Sequence, residues 1–249
     1  MAKKIIVANW KMNPKSTKEA DTLFTKIKSR AARSKKALVV VCPPAIFLKR
    51  LVKKQGNVRI GAQDVAEQKE GAFTGCISAP MIISAGGTYS IIGHSERRAA
   101  GDTNENINKK VLIALEYRLN VILCVGEEKR DEDGEYLAII AEQLTKALRG
   151  VTPALYKNII IAYEPVWAIG ERAKGSDTPA SFLEIALYIK KVLAELVGKD
   201  KAFSVPVLYG GSVSVHNAEE FLEEGKADGL LIGRTSLDAK AFAEIISHA

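Results

Sequence analysis

The sequence predicts an α/β fold, a single-domain (β/α)8 barrel over residues 1–249, and three observations predict it. Eight short runs rich in β-branched residues alternate with segments of helical periodicity, and no proline-rich or low-complexity linker divides them. Most of those runs are apolar along their whole length, as parallel strands covered on both faces should be. A chain of 249 residues also suits one barrel, because (β/α)8 domains of about 250 residues form one unit.

The runs follow in order as KIIVAN (4–9), ALVVVC (37–42), NVRIGAQ (57–63), YSIIGH (89–94), NVILCVG (120–126), NIIIAYE (158–164), VPVLYGG (205–211) and ADGLLIG (227–233). Residues 104–117 read as a helix, with Ile107, Val111, Ala114, Leu115 and Arg118 at three- and four-residue spacing after the cap-like DTNE. HSERRAA, from residue 94, reads as the start of a short helix. Thr178 and Pro179 read as the N-cap and first helical position of a later one. A doubly wound open sheet is the structural competitor. It would want a glycine loop after its first strand, and VANWKMNP contains no glycine.

Composition narrows the function classes. With 47% hydrophobic and 26% charged residues the chain reads as a soluble globular protein, and no apolar run is long enough to span a bilayer, so no membrane partner is expected. MAKKIIVANW has no signal-like apolar stretch, which reads as a cytoplasmic chain. Cys42, Cys76 and Cys124 are odd in number and widely spaced, fitting reduced thiols rather than a disulfide framework or a zinc site. The net charge of +7 draws anions. Its basic residues fall on helix faces without interleaved aromatics, which favours a small anionic substrate over nucleic acid.

Polar residues of catalytic type gather where the strands end. Asn9 and Lys11 follow the first, His94 closes the fourth, Glu164 closes the sixth, and Gly210–Gly211, Gly229 and Gly233 frame the last two. In a barrel, strand C-termini converge on one face, so these residues become neighbours. A carboxylate can take a proton from carbon next to a carbonyl if donors stabilise the oxygen as it gains charge. Glu164, between Ile161 and Pro165–Trp167, is the expected base; His94 at a helix start is the expected neutral donor; Lys11 and Asn9 supply charge and a hydrogen bond, with no metal or cofactor. YGGS (209–212) and GLLIGRTSL (229–237) offer backbone N–H groups and the Ser212 hydroxyl to a phosphate.

The motifs ANWKMN (8–13), GAQDV (61–65), GAFTG (71–75), IIGHSERR (91–98), CVGE (124–127), AYEPVWAIG (162–170), LYGGS (208–212) and DGLLIG (228–233) resemble the triosephosphate isomerase family along the whole chain. The resemblance implies a TIM barrel that interconverts dihydroxyacetone phosphate and D-glyceraldehyde 3-phosphate through an enediolate, in glycolysis and gluconeogenesis. It implies Glu164 as base, His94 as electrophile, Lys11 and Asn9 as substrate-binding groups, and Glu96 as a supporting carboxylate near the lysine. Gly170, Ser212, Gly233 and the N–H of Arg234 are implied as the phosphate grip. Residues 171–177 are implied as a lid over it.

Three departures from the family pattern stand out. The stretch AIGERAKGSDTP is about two residues longer than the family's lid and carries Arg172 in place of a glycine. Arg234 stands where many relatives have glycine, and Cys76 where they have glutamate. The loop at 66–81, with Phe73 and Thr74 at its tip, is implied to insert into a partner subunit, so a homodimer is expected. Its length supports that role independently. A Schiff-base aldolase would instead want a lysine within a barrel strand, which IIIAYE lacks. A non-catalytic binding barrel would tolerate a broken site, and here every matching position is filled.

Overall fold

A computed structural model describes residues 3–131, 133–169 and 176–249. Its eight strands are β1 (Lys4–Asn9), β2 (Ala37–Cys42), β3 (Arg59–Ala62), β4 (Tyr89–Ile92), β5 (Asn120–Val125), β6 (Ile159–Tyr163), β7 (Val207–Tyr209) and β8 (Gly229–Ile232). They pair in sequence order, all parallel, and β1 returns to β8 to close the barrel, Ile5 lying opposite both Leu38 and Gly229. The expected (β/α)8 architecture is therefore present.

Alternation along each strand divides the core in two. Ile5 and Val7, Ile122 and Cys124, Ile160 and Ala162 fill the barrel interior with Val40, Leu208 and Leu231. Ile6 and Ala8, Leu123 and Val125, Ile161 and Tyr163 point outward into the layer between sheet and helices. This two-sided burial is why the runs read as continuously apolar. Burial also pushes the Cys42 and Cys124 thiols up, so both stay protonated inside the barrel.

The helices cover the sheet with narrow apolar stripes. In Thr17–Ala31 the buried side chains are Ala20, Leu23, Phe24, Ile27 and Ala31, and Ser16 caps the helix by accepting the Glu19 N–H at 3.2 Å. Helix Pro179–Val197 starts as expected, with Thr178 accepting the Ser181 N–H at 3.2 Å and Pro179 next. Helix Asn104–Glu116 buries Ile107, Val111, Ala114 and Leu115 behind a Thr103–Asn106 capping box. Arg118 does not join that stripe. It lies beyond the helix in a left-handed backbone, φ 59, where the chain leads into β5. The same helix buries Lys110, whose ammonium lies 2.9 Å from Asp64 and 2.6 Å from Asp102.

Six of the eight strands are shorter than their apolar runs. Gln63, His94, Glu164 and Gly210 fall just past the last strand residue rather than inside it. The reason is functional geometry: beyond the ladder the chain must turn outward, so these residues sit on the rim of the barrel's C-terminal mouth.

Candidate active site

Asn9, Lys11, His94, Glu164, Ser212, Gly233 and Arg234 line one cavity of about 420 Å³ at that mouth. Register explains most of this convergence. Asn9 continues the inward parity of Ile5 and Val7, Glu164 that of Ile160 and Ala162, and Gly210 and Ser212 that of Leu208. A larger hollow, about 980 Å³, lies on the outer wall between the 17–31 helix and Leu237–Ala239, but it gathers no comparable set of groups. Gly170 and residues 171–175 of the expected lid lie outside the described residues.

Glu164 is 3% exposed and fully engaged. Its Oε2 accepts the Ser95 N–H at 2.8 Å and its Oε1 lies 3.1 Å from His94 Nε2. Two glycines make room for it. A β-carbon on Gly126 would stand 1.8 Å from the Glu164 carbonyl oxygen, and one on Gly210 would stand 3.2 Å from Glu164 Cγ. The main chain is pinned by Glu164 N–H to Val125 O at 2.8 Å and Gly210 N–H to Tyr163 O at 2.7 Å.

His94 caps the short helix Ser95–Ala99, its Nδ1 accepting the Glu96 N–H at 3.1 Å. A ring nitrogen that accepts carries no proton, so the imidazole is neutral with its hydrogen on Nε2. Behind it Arg98 fastens the turn, donating to Gly93 O at 2.9 Å and to Asn104 Oδ1 at 2.8 Å. Burial lowers the Arg98 pKa from its ordinary value.

Lys11 adopts a left-handed backbone, φ 51, which a non-glycine residue holds only when its surroundings enforce it. They do so from two sides. The Lys11 N–H donates to Asn9 Oδ1 at 3.0 Å, and the Gln63 amide donates to both Lys11 O at 2.8 Å and Cys42 O at 2.9 Å. The ammonium then reaches Glu96 Oε1 at 2.6 Å, placing Glu96 beside the lysine as expected. The lysine stem passes over Gly233, where an added β-carbon would lie 3.2 Å from Lys11 Cε. Thr235 ties the two glycine loops together, donating to Val213 O at 2.6 Å.

A buried cluster next to the site was not singled out from the sequence. Glu127, with no solvent exposure, accepts at Oε1 from Tyr163 Oη and Trp167 Nε1, each at 2.8 Å, and from Arg130 Nε at 3.1 Å. Arg130 continues to Ser181 Oγ at 2.5 Å, and Ser181 to Asp177 Oδ1 at 2.5 Å. Burial raises the Asp177 and Tyr163 pKa values. The chain therefore anchors Trp167 on one side of residues 170–175 and Asp177 on the other. Only the CVGE motif hinted at it.

The 66–81 loop stands apart from this mouth. Phe73 is 44% exposed and Thr74 is exposed, beside a hollow of about 440 Å³ bordered by Gln63, Asp64, Cys76, Arg97 and Lys110. Among the described residues no group of three or more His, Cys, Asp or Glu side chains converges where a metal ion could sit, and no helix is long and apolar enough to cross a membrane.

A carboxylate and a neutral imidazole at hydrogen-bond distance, in the mouth of a closed parallel barrel, define a barrel enzyme of the acid–base class. A family model described as triosephosphate isomerase matches residues 4–249. The chain belongs to the triosephosphate isomerase family, and its activity is the interconversion of dihydroxyacetone phosphate and D-glyceraldehyde 3-phosphate.

Proposed function

We propose that Glu164 is the base of this isomerisation, taking a proton from one carbon of the triose and returning it to the next. His94 donates its Nε2–H to the oxygen that gains charge in the enediolate. Lys11 supplies positive charge opposite and Asn9 a neutral hydrogen bond, while Glu96 holds the lysine ammonium. Ser212, Gly233 and the N–H of Arg234, with Gly170, grip the phosphate. The chemistry is proton transfer between adjacent carbons and assigns no step to a metal or cofactor.

One observation carries this reading: His94 Nε2 faces Glu164 Oε1 at 3.1 Å while Nδ1 is occupied by the Glu96 N–H. In that arrangement the base is parked on His94 and on Ser95 N–H. Rotating the Glu164 side chain toward the cavity frees a carboxylate and an Nε2–H together, base and electrophile from one movement.

The same reading takes residues 1–249 as one catalytic domain, located in the cytoplasm and paired in a homodimer. Exposure of Phe73 (44%) at the tip of the 66–81 loop supports the pairing, because a large apolar side chain held out on a long loop favours a partner. Thr74 and Cys76 stand on the inserting loop. Light scattering at micromolar protein is expected to give twice the chain mass, and a monomer would overturn the dimer. The catalytic assignment is tested by coupled assays in both directions. Glu164→Gln is expected to lose at least about a hundredfold in kcat, within the ~10²–10⁴ range of acid–base catalysis; a variant as active as its parent would sink it.

A further inference from the structure

Lys11 and Asn9 hang from one strained turn, and a residue outside the mouth cavity holds that turn. Gln63 does not line the mouth. It stands one residue past β3, half-buried, and borders the hollow beside the 66–81 loop instead. Its amide nitrogen reaches Lys11 O at 2.8 Å and Cys42 O at 2.9 Å. Both partners are carbonyl oxygens, which only accept, so the amide must present its two N–H groups to them. One side chain thereby stitches together the turn after β1, the end of β2 and the residue after β3.

The turn needs such a hold. Lys11 has φ 51, a conformation that a residue with a side chain keeps only under constraint. In that conformation its N–H meets Asn9 Oδ1 at 3.0 Å, which leaves Nδ2 as the donor that Asn9 offers to the cavity it lines. The lysine stem has little slack either. It runs over Gly233, where an added β-carbon would lie 3.2 Å from Lys11 Cε, and its ammonium ends 2.6 Å from Glu96 Oε1. A relaxed turn would swing the root of that stem and the Asn9 amide together.

We propose that Gln63 is a positioning residue of the isomerisation, acting through the Lys11 turn on the lysine ammonium and on the Asn9 amide. The proposal rests on the reading of Lys11 as the substrate-binding charge. It adds that the aim of two groups in the mouth is set by one amide outside it.

The experiment uses the full chain and Gln63→Met, which keeps the length and loses both donors. Thermal melting and circular dichroism check the fold, and KM and kcat are measured with D-glyceraldehyde 3-phosphate. Q63M is expected to raise KM about tenfold with a smaller fall in kcat, because a misplaced charge weakens binding of ground and transition states alike. Glu96→Gln loosens the same ammonium from its other end, so the two losses should not multiply. The double variant is expected to keep at least about fivefold more kcat/KM than the product of the single losses implies, whereas a residue that merely supports the fold would give the full product. Q63M with KM and kcat within about twofold of the parent, or a double variant at the full product, would overturn the proposal. Should Q63M fail to fold, Gln63→Glu keeps the size and turns both donors into acceptors, and parent-like kinetics in Q63E would overturn it equally. Lys11→Met is measured alongside. If it matches the parent, the reading of the lysine falls and this proposal with it, while a crippled K11M beside a parent-like Q63M would overturn the proposal alone.

Discussion

His94 Nε2 lies 3.1 Å from Glu164 Oε1, and which ring nitrogen can carry a proton on that side is set on the far side of the ring. The Glu96 N–H occupies Nδ1 at 3.1 Å, so the ring proton sits on Nε2, the nitrogen nearer the carboxylate. A backbone amide at a helix start thus determines which atom of the imidazole can meet an oxyanion.

Replacing His94 by Gln tests that directionality. The amide keeps a donor but loses its fixed aim, and an oxyanion donor is worth about 2.7–4 kcal/mol in the transition state. The expected fall in kcat is about 10²–10³, with a much smaller change in KM, measured under saturating triose phosphate.

Gly126→Ala tests the crowding around the base. The new methyl group would stand 1.8 Å from the Glu164 carbonyl oxygen, a backbone atom that can move only with its strand. Overpacking of this kind costs about 1–3 kcal/mol or more. The variant is expected to melt several degrees lower and to lose activity together with stability, because the displaced segment carries the base.

Glu127→Ala removes the centre of the buried cluster. Tyr163 Oη, Trp167 Nε1 and Arg130 Nε all lose their shared acceptor. Deleting one partner of a buried pair costs about 3–5 kcal/mol. Since Arg130 remains a quarter exposed, the lower end is expected. Denaturant unfolding gives the stability change, and Trp167 fluorescence should shift because its indole loses that partner.

Acid stability has a contribution from Asp21, whose carboxyl is held at about 2 by hydrogen bonds from Arg50 and Lys54. The folded value lies below the ordinary carboxylate value, so the contribution is present above about pH 4 and is lost as pH falls through about 2. Asp21→Asn should therefore flatten the pH dependence of unfolding in that window and leave it unchanged near neutrality. As the group is at the surface, added salt should shrink the difference. Urea unfolding at pH 5 and pH 2.5 checks both statements.

Much of the site was legible because a parallel barrel gathers the ends of all its strands. Asn9, Lys11, His94, Glu164 and Ser212 each follow an apolar run, and that position alone implied their convergence. Gln63, Glu127 and Arg130 were not legible in their roles. Gln63 acts on Lys11, 52 residues away, and Arg130 on Ser181, 51 residues away. A polar residue next to a strand declares no such partner. Arg118 shows the opposite error, since its spacing matched a helix that had already ended when the chain turned left-handed.

By itself the sequence determined the eight strand–helix units, their parallel burial and the residue types available at the mouth, because these follow from local periodicity and from where polar residues interrupt it. Only the tertiary structure decided which oxygen of Glu164 meets which donor, which nitrogen of His94 carries the proton, and what holds Lys11 in a left-handed backbone. Most of those depend on distances of about 3 Å between residues that lie far apart along the chain and meet only where the closed barrel gathers its strand ends. Hydrogen bonds weaken steeply with such distances and angles, so closure of the barrel sets the chemistry that composition merely makes available.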